Sequence, residues 1–104
     1  MEIPITAKAA LLQALLQGPG YGLDLIERVR ERTAGQITLG QGSVYPALRD
    51  LERQGFLRSF EGKPIQERGG RARRYYELTA EGRRVAYGQR EVIRGIVELA
   101  GVFT

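Results

Sequence analysis

The spacing of apolar positions divides the chain into three helical stretches, two short alternating stretches and a long final helix. Ile5, Ala9, Leu12, Leu15 and Leu16 recur at helical intervals, predicting a first helix over about 5–17 that starts at Thr6 or Pro4. Gly18-Pro19-Gly20 ends it, because glycine accepts a left-handed cap and proline cannot continue the hydrogen-bond ladder. A second helix is predicted over about 21–33, with Gly22, Leu25, Ile26 and Val29 on one face and Asp24, Glu27, Arg28 and Glu31 on the other. Ala34-Gly35-Gln36 breaks the pattern, and Ile37 to Leu39 reads as a short extended piece. The third helix, over about 41–54, has a narrow stripe of Val44, Leu48 and Leu51, while Ser43, Pro46, Arg49, Asp50 and Arg53 lie off it. Pro46 removes one internal hydrogen bond, which places the first regular turn near Ser43, and Gly55 is suited to cap the end.

Phe56 to Glu61 and Arg73 to Leu78 alternate with a period of two and read as a hairpin. Phe56, Arg58 and Phe60 share one face of the first strand, with Leu57 and Ser59 on the other; Tyr76 and Leu78 share a face opposite Tyr75 and Glu77. The connection from Gly62 to Ala72 is polar, holds Pro64 and Gly69-Gly70, and is long for a hairpin, which favours a functional role for it. Thr79 makes a good N-cap, and Glu81 falls where the helix dipole favours a carboxylate. The last helix then runs to about Ala100 with a stripe of Val85, Val92, Ile96, Leu99 and Phe103, widened by Ile93, Val97 and Ala100. Gly82, Gly88 and Gly95 each weaken it by roughly 1 kcal/mol relative to Ala, so it is expected to need packing on both sides.

A length of 104 residues allows one small domain, and no apolar run approaches the roughly 20 residues of a membrane helix. The absence of Cys and His removes disulfides, thiolate zinc sites, cysteine nucleophiles and the commonest general base. Ser43 and Ser59 have no imidazole to activate them, and the carboxylates are scattered over charged faces. The glycine clusters at 18–22, 40–42 and 69–70 lack the Gly-Lys-Ser/Thr ending of a phosphate-binding loop and read as turns and caps. A non-catalytic, cytoplasmic domain without metal or cofactor is expected. Charge adds direction: the chain holds 16 basic and 12 acidic residues, and the whole excess falls between Arg58 and Arg84. An arginine-rich segment of this kind suits a polyanion.

Three helices followed by a hairpin with a basic tip is the order of a winged helix-turn-helix, mainly α with a β-hairpin, although a protein-interaction module of the same fold has the same order. Four segments carry a closer likeness: Leu15 to Gly22 (LLQGPGYG), Gly42 to Leu48 (GSVYPAL), Leu51 to Leu57 (LERQGFL) and Gly70 to Gly82 (GRARRYYELTAEG). In their order and spacing the chain resembles the PadR family of transcriptional regulators over nearly its full length. The resemblance implies a homodimeric DNA-binding regulator, usually a repressor, and the length matches the compact subgroup with a single C-terminal helix in the dimer interface. One branch of that family holds flat drugs between paired tryptophans, and this chain has no Trp; a small-molecule effector stays an open question.

The expected organisation is a winged-helix unit over 1–82 and a dimerisation helix over 83–104. Ser43, Tyr45, Arg49 and Arg53 are expected to face the major groove of an operator duplex, which at about 12 Å wide accepts one helix. Tyr45 is as well explained by half-buried packing. Lys63, Arg68, Arg71, Arg73 and Arg74 are expected to reach phosphates or the minor groove. Leu12, Val85, Val92, Ile96, Leu99 and Phe103 are the candidate dimer contacts.

Overall fold

A computed structural model describes residues 5–62 and 73–99. Lys63, Arg68, Arg71 and Phe103, among the expected contacts, lie outside the described residues. The order of elements is α1 (Ala7–Leu15), β1 (Gly20–Tyr21), α2 (Gly22–Arg32), α3 (Gln41–Arg53), β2 (Leu57–Glu61), β3 (Arg74–Leu78) and α4 (Ala80–Leu99).

α2 and α3 start after the extended residues Tyr21 and Gly40, whereas α1 and α4 start at threonines whose hydroxyls satisfy a first-turn N–H. The Thr6 hydroxyl accepts from the Ala9 N–H at 3.1 Å, and the Thr79 hydroxyl accepts from the Gly82 N–H at 3.0 Å. The end of α3 is closed by the Phe56 N–H donating to the Leu51 carbonyl at 2.9 Å, a Schellman-type closure that turns the chain directly into β2. Pro46 lies inside α3 rather than at its first regular turn. The carbonyl it leaves without a helical donor is that of Gly42, itself an exposed residue.

The hairpin is joined by a third strand that periodicity does not reveal, giving an antiparallel sheet of order β1-β3-β2. Gly20 pairs with Tyr76 and Tyr21 with Tyr75, so the turn expected at 18–20 also forms a sheet edge, and α2 begins at Gly22 rather than Tyr21. The remaining register, Leu57 with Leu78 through Glu61 with Arg74, puts Leu57, Tyr76 and Leu78 on the buried face.

α1 packs against α2, α3 and α4. Leu11, Leu15, Leu25, Val44, Leu48 and Leu51 are the large side chains that are essentially fully buried, and Leu57, Tyr76, Leu78 and Ala86 close the core from the sheet and α4. Burying a leucine of this kind contributes about 1.5–3 kcal/mol. The turn between α1 and α2 is held by Arg28, whose guanidinium donates to the carbonyls of Ala14, Gly18 and Pro19 at 2.9–3.0 Å and to Asp24 at 2.8 Å.

The front of α4 belongs to this core. Ala86 is fully buried, and the Gln13 amide donates to the Ala86 carbonyl at 2.8 Å and to Gln89 Oε1 at 2.7 Å. Gly82 is required there: a Cβ on it would stand 1.9 Å from the Phe56 carbonyl oxygen. The glycine that costs helix propensity is the one that lets α4 reach the sheet. Beyond Gln89 the character changes, with Val92, Ile96, Val97 and Leu99 all more than half exposed. No helix among the described residues is long and apolar enough to cross a membrane.

Candidate nucleic-acid interface

The face of α3 that carries no core residue and the adjacent edge of the sheet enclose an open groove of about 520 Å³. Tyr45, Arg49 and Glu52 line it from α3, Tyr21 to Leu23 from the β1–α2 junction, and Arg73, Arg74 and Tyr76 from β3 and the residue before it. The structure thus brings together four of the residues expected to touch DNA: Tyr45, Arg49, Arg73 and Arg74.

Helical spacing explains the α3 wall. Tyr45, Arg49 and Glu52 follow one another at four and three residues, on a row beside the buried Val44, Leu48 and Leu51. Tyr45 is half-buried, and its ring lies over Gly22, where a Cβ would come within 2.5 Å of Cε1. This contact seats the front of α3 against the start of α2, so packing accounts for much of Tyr45. Arg49 is exposed and has no ion-pair partner among the described residues.

The strand wall is organised by aromatic rings. Tyr21, Tyr75 and Phe60 are register neighbours across β1, β3 and β2. Tyr75 meets Tyr21 edge-on at 5.4 Å and stacks on Phe60 at 5.6 Å. The Arg73 guanidinium sits 4.3 Å above the Tyr21 ring, which fixes it over the groove while leaving its N–H donors available. Arg74 is exposed beside it. Arg58, by contrast, is paired across the strands with Glu77 at 2.8 Å, so its charge is partly neutralised.

Two expected contacts lie elsewhere. Ser43 is exposed on the first turn of α3, outside the groove lining. Arg53 points away from the groove to Asp50 at 3.2 Å, and Asp50 also takes Lys8 of α1 at 3.5 Å. Among the expected dimer contacts, Leu12 is 5% exposed and lies in the protomer's core, on a helix that packs against α2, α3 and α4. Val85 is likewise packed against the protomer's own core. Val92, Ile96 and Leu99 are 63%, 60% and 82% exposed, an apolar row with no cover among the described residues.

Tyr21, Leu23 and Glu52 are groove residues that sequence reasoning does not find. A two-residue strand has no periodicity to detect, and Glu52 reads as an ordinary surface charge. The available signal is the Gly20-Tyr21-Gly22 run, in which two small residues flank an aromatic one as they would where backbone is approached closely.

The model of the PadR-like transcriptional regulator family matches residues 11–87, a span from within α1 to the middle of α4. No curated protein matches the chain. Among solved structures, a PadR family transcription regulator from Clostridium difficile superimposes with a TM-score of 0.76 at 25% identity, over 91% of this chain and 94% of that one. A PadR family transcriptional regulator from Eggerthella lenta gives 0.72 at 28% identity, over 91% and 81%. A transcriptional regulator from Clostridium thermocellum gives 0.76 at 23% identity, over 93% and 91%, and bears on the fold alone. With four helices and a small antiparallel sheet among the described residues, and with this family match, the chain belongs to the PadR-like family of transcriptional regulators, built on the winged-helix DNA-binding fold.

Proposed function

We propose that two copies of this chain pair through α4 and grip a pseudo-palindromic operator, repressing transcription from it in the cytoplasm. The observation that carries this reading is the groove: Arg49 on α3, unpaired among the described residues, faces Arg73 and Arg74 on the wing across a single concave surface. Arg49 supplies a fork suited to a guanine edge in the major groove. Arg73 and Arg74, with Lys63, Arg68 and Arg71 from the connection between the strands, supply phosphate contacts, which set affinity and register but carry little sequence information.

One protomer presents one α3, and specific grip on DNA by such motifs comes from two half-sites about one helical turn apart. The row Val92, Ile96, Leu99 supports α4 as the seam, since an uncovered apolar row of this kind marks a partner surface.

The test is enrichment of duplexes from a random-sequence library by the purified protein, followed by titration of the selected duplex and a scrambled one. The expected result is a salt-dependent preference for the selected duplex that Arg49→Ala reduces by about 1–3 kcal/mol, with a much smaller loss on the scrambled one. Failure to enrich any sequence, or equal losses on both duplexes, would refute base reading by Arg49.

A further inference from the structure

Six of the twelve described arginines are ion-paired. Arg30, Arg53, Arg84 and Arg94 each pair with an acid three residues earlier on the same helix: Glu27, Asp50, Glu81 and Glu91. Arg49 has an acid three residues later, Glu52, the reverse order of those four pairs; both line the groove, and no ion pair joins them among the described residues. Side chains three apart on a helix are neighbours, so a free Glu52 carboxylate stands within reach of the Arg49 guanidinium. The carboxylate is engaged by the sheet. The Ser59 hydroxyl, on β2, donates to Glu52 Oε2 at 2.6 Å in a half-buried contact. That length is typical of a hydroxyl on an ionised carboxylate, one of the stronger side-chain hydrogen bonds.

We infer that Ser59 is a positioning residue for DNA recognition: by holding Glu52 toward β2 it keeps the Arg49 guanidinium unpaired in the groove. The inference rests on the reading that Arg49 meets DNA. Its physical content is a competition. When Ser59 holds Glu52, Arg49 enters the complex without first breaking an ion pair. When the hydroxyl is removed, Glu52 turns to Arg49, and DNA must displace it. Ser59 makes this possible because β2 alternates: Leu57 and Ser59 point to the α3 side while Arg58 and Phe60 point away. The same hydrogen bond ties Glu52 of α3 to β2 of the wing.

The test is a double-mutant cycle on the selected duplex. Ser59→Ala should weaken binding about two- to fivefold, the scale of an exposed ion pair that must be broken. In the Arg49→Ala background the same substitution should change nothing, because there is no guanidinium to capture. Ser59→Thr should bind as the original chain does, and Ser59→Ala with Glu52→Gln should recover the loss, since the neutral amide does not compete for arginine. Thermal melts of all variants show whether the fold is kept; if Ser59→Ala alone is unstable, Ser59→Thr and the Ser59→Ala/Glu52→Gln pair still carry the comparison. An equal loss in both Arg49 backgrounds, or no loss from Ser59→Ala while Arg49→Ala remains costly, would overturn the inference and leave the groove reading intact. If Arg49→Ala itself costs nothing, both fall.

Discussion

Replacing Gly82 by Ala puts two opposed effects at one position of α4. Helix propensity favours alanine by about 1 kcal/mol in a helix interior. Against that, the added Cβ would lie 1.9 Å from the Phe56 oxygen, 2.8 Å from its carbonyl carbon and 3.1 Å from its Cα. The obstacle is backbone, so no side-chain rotation relieves it, and reaching even a 3.0 Å contact requires α4 to retreat by about 1 Å. The same Phe56 oxygen accepts the Thr79 N–H at 3.0 Å, and the Thr79 hydroxyl donates to the Gly55 carbonyl at 2.7 Å, so the retreat stretches the bonds that start the helix. Overpacking of this kind costs about 1–3 kcal/mol and a broken hydrogen bond about 1 kcal/mol more. The net expectation is a destabilisation of about 2 kcal/mol, or a fall in melting temperature on the order of 10 °C for a domain of this size. Urea and thermal unfolding followed by circular dichroism, at one protein concentration for both proteins, reads it directly. A Gly82→Ala protein that melts at or above the original would show that α4 has room for a methyl group against Phe56, and that glycine is not required there.

Other consequences are equally open to measurement. Ile96→Glu places a charge in the proposed seam, where an unpaired buried carboxylate costs several kcal/mol; the variant should sediment as a monomer and lose operator binding while keeping its helical signal. An original chain that is monomeric at micromolar concentration and still grips its duplex tightly would refute this. Arg73→Ala with Arg74→Ala should weaken binding to all duplexes and flatten the plot of log K against log salt by about 0.9 for each phosphate no longer neutralised; an unchanged slope would place the wing off the DNA. Arg28→Leu withdraws donors from the carbonyls of Ala14, Gly18 and Pro19 and should cost about 2 kcal/mol, seen as a lower urea midpoint. An unchanged midpoint would mean that water replaces the guanidinium without loss.

Much of this architecture is legible in the amino-acid sequence, for identifiable reasons. Val44, Leu48 and Leu51, or Tyr76 and Leu78, repeat often enough to declare a period and a buried face, and both faces are buried as the period predicts. β1 is not legible because two residues make no period; its pairing with β3 is a tertiary fact. The burial of Leu12 in the protomer is not legible for a related reason. On α1 the residues Ala10, Leu11, Leu12, Ala14 and Leu15 are all buried, and the only polar residues, Lys8 and Gln13, are too few to mark out a single stripe. Gly82 reads as a weakness because propensity is local, whereas the carbonyl it accommodates lies in another element. In the groove, Tyr45, Arg49, Arg73 and Arg74 stand out by their residue types and their distance from the apolar stripe. Arg53 falls in with them because a one-dimensional pattern does not distinguish two exposed rows of a helix, one facing the wing and one facing α1.

The short strand β1 also bears on the order in which the molecule can be built. Helices α1 to α3 and the β2–β3 hairpin are made of contacts close in sequence, which form quickly once the chain collapses. The pairing of Gly20 with Tyr76 and Tyr21 with Tyr75 is different: it closes a loop containing α2, α3 and β2. Because the entropy of closing so long a loop is lost before any ladder bond is gained, this edge should be a late event in folding. Until it forms, Tyr21 has no Tyr75 beside it and Arg73 has no ring to rest on. One wall of the groove therefore exists only in the finished protein, and a nascent or partly folded chain would display its basic segment without the concave surface that orients it.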